Sequence, residues 1–276
     1  MVQRKHNSRD SARCVNNGGD LSLAQPPFNV KPVMIGSIEQ SPQRYARVAG
    51  VLYLAIIALG AFGELGVRGT LVVPGDAAAT WARIGQSPWL WRCGIVGDLL
   101  MHVLDVPVLV ILYVLLRPAG HGLALMATAI NLVQTAVLVA NKTHLLLPLF
   151  LLEGGPYLGA LSAAQLQAMA YLAIRAHAYG FGIGLIFFGV ACLVRAWLIV
   201  KCGYLPRWLG ALMAVAGLSY LFNSLSLLLP FAGTASITLV VLLPAFVGEL
   251  ALAMWLVFKG VDEAQWERQR LAVTRR

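Results

Sequence analysis

The stretch from Trp91 to Pro118, WRCGIVGDLLMHVLDVPVLVILYVLLRP, constrains this chain more than any other. It is long and apolar enough to cross a bilayer, whose hydrocarbon core of about 30 Å takes about 20 helical residues. It nevertheless carries Asp98, His102 and Asp105. Spacings of four and then three residues put all three on one helical face. A charged group in hydrocarbon costs at least about 2–3 kcal/mol unless it pairs, meets water or coordinates something. That face is the first place to look for function, and the other helices have to answer it.

The rest of the chain has the same character. It is 59% hydrophobic and 12% charged, too apolar for an ordinary soluble domain. Its apolar residues fall in runs of roughly 18 to 25, the length of a transmembrane helix. No alternating segment of about ten residues suggests a barrel strand. The expected fold is therefore all-α, a polytopic membrane bundle of about six helices. The net charge of +9 sits in tails and short loops, where the positive-inside bias explains it, so no nucleic-acid partner is expected. Cys14, Cys93, Cys192 and Cys202 have no disulfide or zinc spacing.

Residues 1–40 are polar, with Asn-Asn-Gly-Gly and Pro-Pro, and read as a disordered cytoplasmic tail; Met34 lies near the first span, so start-codon choice could add or remove it. A transmembrane domain over residues 41–260 follows, then a basic cytoplasmic tail over 261–276. The spans run from about Arg44 to Gly66, Trp91 to Arg117, Gly122 to Leu147, Ala178 to Val200, Trp208 to Leu229, and Ile237 to Phe258. Arg44, Arg47, Arg117, Lys201, Arg207, Lys259 and the terminal arginines put both ends inside, while Arg68, Arg83, Arg92 and Arg175 lie outside. Asp76 is placed to cap a short external helix through Trp81 and Arg83. The first third of the segment 163–201 reads as a separate interfacial helix, because the whole is too long for one crossing. The turn at Pro230 and Gly233 is external.

Depth sorts the polar residues of the spans into two tiers. Glu64, Asp98, His144, His177 and Asn223 fall near the outer leaflet, below Arg68, Arg92 and Arg175; Asp105, Gln134 and Glu249 fall near the midplane. Their convergence suggests a polar cavity opening toward the outside. Each carboxylate also has a duller reading, as a structural contact between helices. Arg195 reads as a snorkelling cation, Asn131 and Asn223 as packing hydrogen bonds, and the glycines at 180, 182 and 184 as close-packing residues. Three sharper readings remain. Asp98, His102 and His177 have a permissive, undiagnostic spacing for a divalent metal. Paired acids in an apolar site can exchange protons with an apolar substrate or lipid. The same acids can carry a proton or cation in a transporter.

Five stretches carry a family resemblance: GELGVRGTLVVPGDAAAT, DLLMHVLDVPVLVILYVLLRP, HAYGFGIGLIFFG, GYLPRWLGALMAVAGLSYL and LLPAFVGELALAMWLVFKG. From about Tyr45 to Gly260 the chain resembles an uncharacterised bacterial multi-pass membrane family, the domain of unknown function number four-three-eight-six. The resemblance implies a compact helical domain of the bacterial cytoplasmic membrane and brings no activity. The positions matching its polar signature are Glu64, Arg68, Asp76, Asp98, Asp105, His177 and Glu249. His102 and His144 stand where the family usually has apolar residues, which weakens the metal reading, and no metal site is expected.

The expected site therefore has Asp98, Asp105, Glu249, His177 and Glu64 as catalytic candidates, and Arg68, Arg175, Gln134 and Asn223 as substrate contacts. The expected partners are membrane lipid and a lipid or small apolar ligand. The favoured function is binding or acid–base chemistry on that ligand; the alternatives are a proton- or cation-coupled transporter and a structural subunit. The scarcity of polar residues below Asp105 and Glu249 disfavours transport. No Gly-rich phosphate loop, nucleophile elbow, HExxH or haem motif identifies a cofactor, which stays unknown.

Overall fold

A computed structural model describes residues 33–229 and 238–274. Among them the chain is helical with no strand, and six helices are long and apolar enough to cross a membrane. The chain is an all-α, multi-pass membrane bundle.

A short helix α1 (Val33–Gln40) precedes α2 (Pro42–Ala61), which continues through a π-helical segment, Phe62–Arg68, into the single turn α3 (Gly69–Leu71). The π segment widens the helix where Glu64 and Arg68 leave it; such segments recur at functional sites. α4 (Ala77–Gln86) starts at Asp76, whose carboxylate accepts from the Ala79 N–H at 2.8 Å, so the expected cap is present. α5 (Pro88–Leu116) is the long polar-faced helix. α6 (His121–Asn141) and α7 (Thr143–Glu153) divide the third span at Lys142, whose N–H bonds back only three residues to Val139 O at 3.1 Å.

Where two helices were expected, α8 (Ala163–Cys202) is a single helix of 40 residues. At about 1.5 Å per residue it is roughly 60 Å long, twice the hydrocarbon core. Its first turns pack instead on α4 and α7, which supports the overhang. A capping box at Ser162 and Gln165 starts it, and Gly203, at φ 72°, ends it. α9 (Arg207–Leu228), α10 (Thr238–Phe258) and α11 (Glu263–Thr274) complete the chain. The expected turn at Pro230 and Gly233, like most of the expected N-terminal tail, lies outside the described residues.

Two segments assigned to tails are docked helices. In α1, Ile38 is buried and Glu39 pairs with Arg117. In α11, Trp266 is fully buried and donates its indole N–H to Leu115 O at 3.0 Å, beside Tyr204, whose hydroxyl donates to the same carbonyl at 2.6 Å. Burial pushes the Tyr204 hydroxyl pKa up. The indole explains the docking: a buried tryptophan contributes a large apolar area and finds a partner for its N–H.

α2, α5, α6, α8, α9 and α10 close a ring, each packed on two neighbours. Glycine sets a close contact between α8 and α9. A Cβ on Gly189 would meet Gly217 O at 2.9 Å, and one on Gly217 would meet Gly189 O at 2.7 Å. Two apolar clusters fill the ends of the ring. One holds Val67, Ile84, Trp91, Ile95, Leu145 and Leu149, the other Leu115, Ile199, Leu209, Met213, Leu256 and Trp266. The polar layer lies between them, and α5 passes through all three zones.

Candidate functional site

The polar layer has two parts, and α5 supplies residues to both. In the first, Asp98 is 1% exposed and accepts from two cations. Arg68 of the π segment donates Nη1 to its Oδ2 at 2.7 Å, and Lys142, at the break between α6 and α7, donates Nζ to the same oxygen at 2.8 Å. Arg68 also holds Glu64 at 2.8 Å. Lys142 Nζ stands 3.3 Å from His177 Nε2 on α8; an ammonium can only donate, so the ring nitrogen accepts there. Asn141 donates to His177 O at 2.8 Å and fixes that end of the contact.

Local sequence makes room for these bonds. A Cβ on Gly63 would strike Asp98 Oδ1, and one on Gly180 would strike the Asn141 amide. Of the glycines flanking Phe181, Gly180 thus shapes the site, while Gly182 makes room for Leu227. Lys142 stands between Asp98 and His177, two of the three residues with permissive metal spacing. Among the described residues no group of three or more His, Cys, Asp or Glu side chains is placed to hold a metal.

The second part is a cavity of about 130 Å³ in the middle of the ring. Tyr53 of α2, His102 and Asp105 of α5, Gln134 of α6, Phe181, Phe188 and Arg195 of α8, Tyr220 of α9 and Glu249 of α10 line it. Asp105 Oδ2 accepts from Thr135 at 2.6 Å and from Asn131 at 3.3 Å. Arg195 donates to Asn131 Oδ1 at 2.5 Å. Tyr220 donates to Glu249, and Tyr53 hydrogen-bonds the same carboxyl. His102 Nε2 is buried with no hydrogen-bond partner among the described residues. Ile56, Asp105, Phe181 and Tyr220 keep part of their surface exposed on the flank of the ring.

The chain belongs to the DUF4386 family. The family model, a domain of unknown function, matches residues 48–260. An uncharacterized protein of Archaeoglobus fulgidus is 31% identical over 168 residues, 60% of this chain and 83% of the relative. No solved structure matches. The DUF4386 match spans both parts of the polar layer and stops before α11, so the docked C-terminal helix lies outside it.

Sequence reasoning placed the site residues unevenly. Glu64, Arg68, Asp98 and His177 meet in the first part, and Asp105, Gln134 and Glu249 in the second. Arg175 joins neither: it is exposed and lies over Tyr179 of its own helix, 5.8 Å from the ring centre. Asn223 is buried on α9 but is not in the cavity wall. Arg195 does not snorkel; it is 4% exposed, because Asn131 gives its guanidinium a partner in the interior. Lys142, Tyr53, Thr135 and Tyr220 were missed. Two of them had a signal. Asn131, Thr135 and Lys142 are spaced i, i+4 and i+11, one face of a helix, and His177, Phe181, Phe188 and Arg195 make a similar stripe on α8.

Proposed function

We propose that this DUF4386 protein binds a small, largely apolar molecule, or one end of a lipid, in the central cavity, and carries out proton transfer on it through Glu249. The observation that carries the reading is the cavity itself: a space at mid-depth, open on one flank, lined by two carboxyls, a guanidinium, an imidazole and aromatic rings. A dry cavity of about 150 Å³ accommodates benzene, so about 130 Å³ admits a small molecule or a lipid end but not a whole lipid. Glu249 is the candidate acid or base, with Tyr53 and Tyr220 orienting it. Arg195, held by Asn131, and Asp105, held by Thr135 and Asn131, complete the polar wall. The Arg68–Asp98–Lys142–His177 set then braces the helices around the cavity.

Apolar clusters at both ends of the ring, and the half-exposed flank at Ile56 and Phe181, favour entry sideways from the bilayer. That closure argues against a through-path and so against transport. The proposed setting is a prokaryotic cytoplasmic membrane with both chain ends inside. Mass spectrometry of small molecules retained by the full chain, purified in native lipid, tests the reading. The wild type should retain one at stoichiometric level and Glu249→Gln should lose it. An empty wild type, with Glu249→Gln and Asp98→Asn as stable as the parent, would return these acids to a structural role.

A further inference from the structure

The charges of the two parts of the polar layer balance differently. In the first part Arg68 and Lys142 face Glu64 and Asp98, two cations against two carboxylates, and each cation is in an ion pair. In the cavity Asp105 and Glu249 face Arg195 alone, and among the described residues neither carboxyl is in an ion pair. Arg195 spends a hydrogen bond on Asn131 instead. The cavity wall is therefore one positive charge short, in surroundings where an uncompensated charge is expensive.

The other wall groups are suited to supplying that charge from a ligand. Four rings, Tyr53, Phe181, Phe188 and Tyr220, surround the space, and aromatic faces attract cations most strongly when water is excluded. Both tyrosines approach Glu249, so rings and carboxyl are gathered at one end. His102 adds a buried nitrogen without a partner, able to accept from an N–H of a ligand. The volume suits a compact alkylammonium group of about the size of benzene.

We infer that the cavity is a site for a small organic cation, an alkylamine-type ammonium, whose charge is neutralised by Glu249 and Asp105 and whose alkyl groups face the four rings. The inference rests on the proposed ligand-binding role of the cavity and names the class of ligand. In the empty protein a proton on one of the two carboxyls supplies the missing charge, so binding the cation releases that proton. The other titratable or charged groups facing the pair are Tyr53 on α2, His102 on α5, Cys192 and Arg195 on α8, and Tyr220 on α9; α6 contributes the uncharged Gln134. The ammonium could arrive free or at the end of an alkyl chain embedded in the bilayer.

Thermal unfolding of the full chain in detergent, titrated with three probes of similar size, tests this. Tetramethylammonium is the cation, tert-butanol its neutral analogue and acetate the anion. Tetramethylammonium should stabilise saturably, with an affinity roughly tenfold or more above tert-butanol. Its affinity should rise as pH rises, since a proton competes for the site, and the stabilisation should vanish in Glu249→Gln. The comparison of probes on the wild type stands even if that variant fails to fold. Dodecylammonium in nanodiscs separates the sources: tighter binding than tetramethylammonium assigns the site to membrane-borne amines, equal binding to free ones. Equal stabilisation by tert-butanol overturns the cation inference and leaves the cavity as a binding site. Stabilisation by acetate overturns it in favour of an Arg195-led anion site. No response to any probe removes both this inference and the binding role beneath it.

Discussion

Lys142 should destabilise the protein when removed from the wild type and stabilise it when removed from Asp98→Asn. Asp98 is 1% exposed, Lys142 4% and Arg68 12% at the side chain, so neither pair has water to fall back on. Asp98→Asn deletes the only carboxylate that Lys142 touches among the described residues and leaves it with the His177 nitrogen at 3.3 Å. Arg68 keeps Glu64. Breaking a buried pair from one side costs about 3–5 kcal/mol. For a chain of this size each kcal/mol moves Tm by about 2–4 °C, so the loss is roughly 6–20 °C. Lys142→Met keeps much of the apolar stem and leaves Asp98 on Arg68, and should cost about 1–2 kcal/mol.

In the double variant the stranded ammonium is gone, so it should unfold at a higher temperature than Asp98→Asn alone. The coupling energy should be about 2 kcal/mol. Tryptophan fluorescence in detergent, at one fixed heating rate, reads all four proteins. If the two changes add within about 0.5 kcal/mol, Asp98 and Lys142 are not a coupled pair and the reasoning fails.

Gly63→Ala should reproduce part of the Asp98→Asn loss, because its Cβ lands on Asp98 and 3.1 Å from Arg68 Nη2; Gly122→Ala, in α6 with nothing within 4 Å, should not lower Tm and should raise it slightly. Gly217→Ala should cost about 1–3 kcal/mol, since its Cβ would lie 2.7 Å from Gly189 O and a backbone atom yields only if α8 and α9 part; an unshifted Tm would refute that close approach. Trp266→Ala should cost about 3–5 kcal/mol and expose Arg268 and Arg270 of α11 to trypsin well below Tm; unchanged cleavage would mean the helix does not depend on its indole.

The helices and their approximate limits were legible because hydrocarbon leaves so few alternatives: a run like Trp91–Pro118 must be helical, and its length sets what it crosses. The acids were legible for the same reason, since charge at depth has to be explained. What stayed hidden was continuity and docking. Nothing local distinguishes an interfacial helix followed by a span from the single α8, because the overhang is supported by α4 and α7. Nor does the basic composition of 263–274 announce that Trp266 reaches Leu115 O.

Arg195 was misread through a rule that is sound for an isolated helix, and Lys142 was missed. A lysine or arginine near a span end lowers its energy by reaching for the interface, and nothing in the sequence of α6 or α8 says otherwise. Lys142 and Arg195 stay inside because tertiary structure has already placed acceptors there: Asp98 and His177 for one, Asn131 for the other. An acid buried on one helix therefore argues for a cation on another, and depth alone cannot choose which. Asp98 answers that argument with Arg68 and Lys142. Asp105 and Glu249 have only Arg195, bound elsewhere, so the same reasoning that locates the missed cations also locates the place where one is still wanting.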